Sequence, residues 1–80
     1  MAERTIQSPF PGTFYRRPSP QDDAYVNEGD RVEAGTVVAL VEIMKNFHEI
    51  TVEEAGVVVR FLAENEDLVE AGQDVLVLGD

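Results

Sequence analysis

The sequence contains no cysteine, which removes disulfide staples and thiolate metal sites and gives no sign of an oxidising compartment. It is also poor in basic residues: six Lys and Arg stand against sixteen Asp and Glu, for a formal net charge of −10. Such a surface repels phosphate backbones and anionic headgroups, so nucleic-acid and membrane partners are not expected. No apolar run approaches the ~20 residues of a helical membrane span. Residues 1–7 hold no apolar stretch of the kind a secretory signal needs. The expectation is a soluble, cytoplasmic protein, with an organelle as the alternative address. Helical signals are missing too, since no window shows a 3.6-residue apolar period with start and stop residues.

Lysine is scarcer still. Five of the six basic residues are arginine, so Lys45 is the only lysine. Amine chemistry other than that of the α-amino group is therefore confined to one position.

What is present fits one small globular domain, expected to span residues 1–80. Apolar residues make up 44% of the chain and are patterned, which argues against disorder. A domain of this size buries only about 60% of the surface its unfolded chain exposes, so its core is thin. The acidic excess reads as solubility or as a surface that docks on basic partners.

The chain repeats itself. Asp30-Arg31-Val32-Glu33-Ala34-Gly35 recurs as Asp67-Leu68-Val69-Glu70-Ala71-Gly72, an offset of 37. Upstream, Gly12-Thr13-Phe14-Tyr15-Arg16 corresponds to Gly56-Val57-Val58-Val59-Arg60 at an offset of 44, which also aligns Ile6 with Ile50. The offsets differ by seven, so the first half carries about seven extra residues between Gly12 and Gly29. The insertion is expected at 17–24, where Pro18, Ser19 and Pro20 precede an acidic pair and read as an exposed loop.

Apolar runs bounded by turn residues predict strands at about 5–8, 13–15, 37–43, 49–52, 57–62 and 75–78, with shorter pieces near Val32 and Val69. Two similar halves of about four strands each, neither able to bury its apolar face alone, predict an all-β sandwich or flattened barrel with pseudo-two-fold symmetry. Gly35 and Gly72 should then occupy equivalent turns.

This arrangement puts Lys45 at or beside a hairpin tip. A two-residue hairpin turn needs positive φ and prefers Asn-Gly or Asp-Gly. Met44-Lys45-Asn46 offers only Asn46 for such a conformation, so a strained tip is expected, and strain is kept where function needs it.

These residues carry a resemblance. Glu42-Ile43-Met44-Lys45 resembles the Glu-Ala-Met-Lys signature of the biotinyl/lipoyl attachment family, in which the lysine is biotinylated. The likeness runs from about Ile6 to Leu78. Ser8-Pro9-Phe10-Pro11-Gly12-Thr13-Phe14-Tyr15 is similar to the opening found in the branch that serves acetyl-CoA carboxylase, and Pro18-Ser19-Pro20 resembles that branch's "thumb" insertion. Ile43, Asn46 and Phe47-His48 depart from the family's usual residues, which bears on how the ligase reads the hairpin through Glu42, Met44 and Asn46.

The resemblance implies a capped barrel-sandwich hybrid of two four-stranded antiparallel sheets, with the lysine hairpin opposite both termini. It implies covalent biotin on Lys45, added by biotin protein ligase. The arm would carry carboxybiotin from biotin carboxylase to a carboxyltransferase, in a subunit without catalytic groups of its own and without a stable metal. The thumb would touch the biotin. A lipoyl carrier of a 2-oxo acid dehydrogenase would share the fold, but favours Asp where Met44 stands and lacks the insertion. An unmodified adaptor domain is the reading from another class.

Other chemical residues read plainly. His48 is the sole histidine and has Glu49 pointing to the other face of a strand, so it is expected at the surface. Ser8 and Ser19 lack a base at motif spacing. Glu53-Glu54 reads as a solvated turn.

Overall fold

A computed structural model describes residues 3–80 and contains, among them, eight strands and no helix. The strands are β1 (Arg4–Gln7), β2 (Gly12–Tyr15), β3 (Arg31–Val32), β4 (Val37–Ile43), β5 (Asn46–Thr51), β6 (Gly56–Phe61), β7 (Leu68–Val69) and β8 (Asp74–Gly79). All pair antiparallel, in two four-stranded sheets ordered β1-β8-β6-β3 and β5-β4-β2-β7. Exchanging each strand with the one four places along the chain turns either order into the other.

The symmetry extends to individual bonds. Gly35 N donates to Val52 O at 2.8 Å, and Gly72 N to Ser8 O at 2.7 Å. Asn27 N donates to Asp30 Oδ2 at 2.8 Å, and Glu64 N to Asp67 Oδ2 at 2.9 Å. The register irregularity between Val37 and Ala39 recurs opposite Asp74 and Leu76, where β1 shifts between Ile6 and Gln7. Each pair is related by the offsets of 37 and 44 visible in the sequence.

Period-2 alternation sends Phe14, Val41, Ile50, Val58, Leu76 and Leu78 into one shared core, each no more than 2% exposed. A strand from either half would leave this face wet, and only stacking the sheets removes it from water. Equivalent residues differ in size between the halves, as Phe14 against Val58 and Ala39 against Leu76 show, so the backbone is more symmetric than the packing.

The repeated turns rely on left-handed backbone. Gly35 has φ +90° and Gly72 +84°, and a Cβ at either would meet nothing within 4 Å. Alanine there is costly by conformation alone. We expect Gly35→Ala and Gly72→Ala each to destabilise by about 1 kcal/mol, a fall of roughly 4–8 °C in Tm for a domain of this size. Thermal melts check this, and an unchanged Tm would contradict it. Upstream of these turns the halves diverge: Gly29 (φ +94°) corresponds to Glu66 (φ +73°). Both backbone amides make the same bond, to Val58 O at 2.7 Å and to Phe14 O at 2.6 Å.

Most strands fall within one residue of expectation, but β5 starts at Asn46 rather than 49. Asn46 pairs with Ile43, so it belongs to the ladder and not to the turn. The extended β4–β5 pairing overrides the weak strand propensity of Asn.

Candidate functional site

The tip of the β4–β5 hairpin is Met44-Lys45. With Ile43 and Asn46 paired, these two residues are the whole turn, at φ +49° and +70°. Positive φ at both central positions is the signature of a type I′ turn, whose twist matches that of the flanking strands. For residues bearing a Cβ, this conformation costs about 1–2 kcal/mol each. The pairing that runs from Val37↔Thr51 to Ile43↔Asn46 imposes it, because β4 lies inside its sheet and its register is fixed by the buried residues Val38, Ala39 and Val41. Met44 is 89% exposed and Lys45 is exposed beside it. Among the described residues Lys45 makes no hydrogen bond or ion pair. The chain's only lysine is held out in solvent on a turn of defined shape.

Aromatic pairs brace the hairpin on both faces. On the outer face Tyr15 and Phe47 lie with ring centroids 6.2 Å apart, and Tyr15 Oη donates to Glu42 Oε1 at 3.1 Å. That bond to a carboxylate raises the Tyr15 pKa above its usual value, helped by desolvation and by the charges of Glu42 and Glu66. On the other face His48 stacks against Phe10 at 4.6 Å. His48 is thus half-buried and not the surface residue expected: its register opposite Val41 turns it toward the side that Phe10 covers.

The insertion at 17–24 is a closed loop. Tyr25 N donates to Arg16 O at 2.9 Å across its base, and Ser19 Oγ donates to Asp22 Oδ2 at 2.8 Å within it. Tyr25, at its exit, has a raised pKa from burial and from the charges of Glu49 and Asp22. The loop stands over the outer face of the hairpin sheet. Arg17, Pro18, Ser19 and Pro20 form one wall of a cavity of about 220 Å³, and Tyr15, Phe47, Asn65 and Glu66 complete it. Phe47, the second residue of β5, is two residues from Lys45.

The structure therefore brings together Glu42, Met44, Lys45 and Asn46 at one hairpin, with Pro18, Ser19 and Pro20 across a cavity from Phe47, close to its tip. The sequence reading did not single out Phe47, Asn65 or Glu66 as site residues. Ser8 is fully buried, its Oγ donating to Phe10 O at 2.6 Å, a structural role. A larger groove of about 480 Å³ follows the edges of β1 and β5, but contains neither Lys45 nor any residue of the 17–24 loop. Among the described residues no cluster of His, Asp or Glu is placed to hold a metal ion, and no helix is long and apolar enough to cross a membrane.

Comparison with known proteins bears on this arrangement. Residues 4–78 match the family described as "Biotin-requiring enzyme". The chain is 39% identical over 72 residues to the biotin carboxyl carrier protein of acetyl-CoA carboxylase from Porphyra purpurea, covering 90% of this chain and 46% of that protein. It is 46% identical over 67 residues to the protein of the same name from Chlamydia muridarum, covering 84% and 41%. The chain thus spans less than half the length of these relatives. Among solved structures it is similar to urea carboxylase from Kluyveromyces lactis, with a TM-score of 0.79 and 32% identity over 98% of this chain and 6% of that one.

Proposed function

Because the chain belongs to the biotin-requiring family of biotinyl/lipoyl attachment domains, we propose that it is the biotin carrier domain of an acetyl-CoA carboxylase-type complex, with biotin joined by an amide to Lys45 Nζ. The observation that carries this reading is the placement of the only lysine, beside an exposed Met44, on a two-residue turn with positive φ at both positions. Relatives named as biotin carboxyl carrier proteins favour biotin over lipoate.

The residues fit the group. Lys45 offers an exposed amine with no competing hydrogen bond or ion pair among the described residues. Met44, Glu42 and Asn46 present a rigid shape for biotin protein ligase to read, so the carrier contributes orientation and the ligase supplies activation. Beside them the cavity walled by Pro18, Ser19 and Pro20 is small and partly apolar, suited to a ring of modest size. Once attached, biotin supplies a ureido nitrogen that takes up a carboxyl group at biotin carboxylase and yields it at a carboxyltransferase. Tethering raises its local concentration at both sites. The domain itself, residues 1–80, contributes no catalytic group, and we place it in the cytoplasm or the corresponding organelle compartment.

Intact mass after co-expression with a matched ligase, with biotin and lipoate both supplied, tests the assignment. The mass of one biotinyl group and retention on streptavidin are expected. A lipoyl mass would identify the other carrier class, and no modification would leave an adaptor.

The loop gives a separate expectation. Deleting residues 18–24 should leave folding and biotinylation largely intact, because the second half makes the same β-to-β connection without them. Carboxylation of acetyl-CoA by the complete complex should fall. Equal turnover at matched biotin loading would show a passive insertion.

A further inference from the structure

The two long sheet edges lie side by side. β1 and β5 each end a sheet, and both line the groove of about 480 Å³. Its lining obeys the repeat: at an offset of 44, Thr5 corresponds to Glu49, Ile6 to Ile50, Gln7 to Thr51 and Pro9 to Glu53. The groove therefore straddles the pseudo-two-fold axis, with Ile6 and Ile50 related across its floor. The other edge strands, β3 and β7, have two residues each, against four in β1 and six in β5. A very short edge gives another chain little to pair with, whereas a long one is a template for it.

The two walls of the groove are not equal. Along an antiparallel pair, successive residues turn their N–H and C=O alternately toward the partner strand and away from it. Val52 bonds inward, donating to Thr36 O and accepting from Gly35 N, and its counterpart Ser8 donates to Gln73 O and accepts from Gly72 N. By alternation Glu49, Thr51 and Glu53 turn their backbone groups to the groove, as Thr5, Gln7 and Pro9 do on the other wall. Pro9 has no N–H, so the β1 wall lacks its third donor. The β5 wall keeps all three and adds an acidic rim of Glu49, Glu53 and Glu54. Among the described residues none of these carboxylates is in an ion pair. Arg4 stands on the facing wall but is committed, donating to Ala55 O at 2.6 Å and pairing with Asp80 at 3.5 Å.

Charge selects the occupant. A second copy of this chain, at a net charge of −10, would set its own acidic edge against this one, and like charges opposite each other on neighbouring strands are destabilising. An extended segment that alternates basic and apolar residues meets every feature. Its backbone completes the N–H and C=O groups of Glu49, Thr51 and Glu53, and its basic side chains stand opposite the carboxylates. The apolar side chains between them fall on the floor formed by Ile6, Ile50 and Leu78. We propose that the free edge of β5 is a docking site for a basic, extended segment of a partner protein, which joins the sheet as a fifth strand. The groove does not include the hairpin tip, so a partner held there leaves Lys45 free.

The probe is a capped hexapeptide of alternating Lys and Val, about 20 Å long when extended, titrated into the full chain and followed by amide NMR. The largest shifts should fall on the amides of Glu49, Thr51 and Glu53, whose hydrogen exchange should slow. A peptide of alternating Glu and Val should not bind. The Lys–Val peptide methylated at alternate backbone nitrogens should lose its binding, because it keeps the charge but cannot complete the ladder. Glu49→Gln combined with Glu53→Gln should weaken the Lys–Val peptide about fivefold, the worth of two exposed cross-strand charge pairs. Both side chains are exposed, so the Tm of that variant should match the wild type. Lys45→Arg should bind the peptide as the wild type does, which keeps this test apart from the assignment of the biotinylated residue. No shifts at millimolar peptide, equal binding of the methylated peptide, an unchanged affinity in the double variant, or largest shifts along β1 would overturn the proposal. Shifts of the same amides on concentrating the protein alone would overturn it in favour of a second copy.

Discussion

Lys45→Arg is expected to fold like the wild type and to incorporate no biotin under any ligase. The substitution keeps a long cationic side chain at an exposed tip whose lysine has no hydrogen bond or ion pair to lose. Its φ of +70° burdens arginine as it burdens lysine. The change in stability should stay within about 0.5 kcal/mol, as for surface substitutions without special contacts. Chemistry is another matter. A guanidinium stays protonated at neutral pH and has no usable lone pair, so it does not attack an activated carboxyl. With no second lysine to take over, incorporation should fall to nothing rather than to a fraction. Intact mass, streptavidin binding and a thermal melt measured on one preparation separate the two effects. Biotin on the variant would refute the assignment of Lys45, and a large drop in Tm would mean that lysine has a structural role.

The repeat made the fold legible, because paired residues at offsets of 37 and 44 occupy paired places in the two sheets. β4 could be bounded from its apolar run alone, since it is buried on both sides along most of its length. The start of β5 could not. Asn46, Phe47 and His48 have no alternation that marks a strand, and it is the partner β4 that holds them in register. For the same reason the sequence pointed to Asn46 as the residue suited to positive φ, whereas the pairing places Met44 and Lys45 there.

The site was legible where it is local. Lys45 with its neighbours, and Pro18 with Ser19 and Pro20, are short stretches with their own chemistry. Glu66 lies 21 residues beyond Lys45 and is brought to the cavity by bonds that tie its turn to β2 and the residue after it, among them Glu66 N to Phe14 O and Arg16 N to Asn65 Oδ1. One sequence signal did exist: at an offset of 37 it replaces the glycine of an otherwise matching turn. Its meaning required knowing that both turns are left-handed.

Gly12→Ala should be the most damaging single-methyl change near the site. A Cβ on Gly12 would overlap the carbonyl oxygen of Glu42 and press on Val41 Cγ1 at 2.8 Å. The oxygen belongs to backbone, so relief requires moving β2 away from β4, whose pairing runs Thr13↔Glu42 to Tyr15↔Leu40. Overpacking of this kind costs about 3 kcal/mol or somewhat more, against a total of about 4–12 kcal/mol for a chain of this length. Tm should fall by roughly 12 °C or more. The symmetry supplies a control, because Gly56 approaches Gly79 O in the same way, its Cβ falling 2.6 Å away. Gly56→Ala should also destabilise, but less, since the other crowded atom there is the Arg4 Nη2 at the end of a flexible side chain. The two variants should part on biotinylation. Glu42 lies one residue before the end of β4, and its carboxylate holds Tyr15, so displacing its backbone tilts the Met44-Lys45 turn that the ligase must recognise. Gly79 ends β8, at the other sheet, and bears no part of that turn. Initial rates of biotinylation at a temperature where both variants remain folded should be lowered by Gly12→Ala and unchanged by Gly56→Ala. Equal slowing by the two would mean that the ligase senses global stability rather than the geometry of the hairpin.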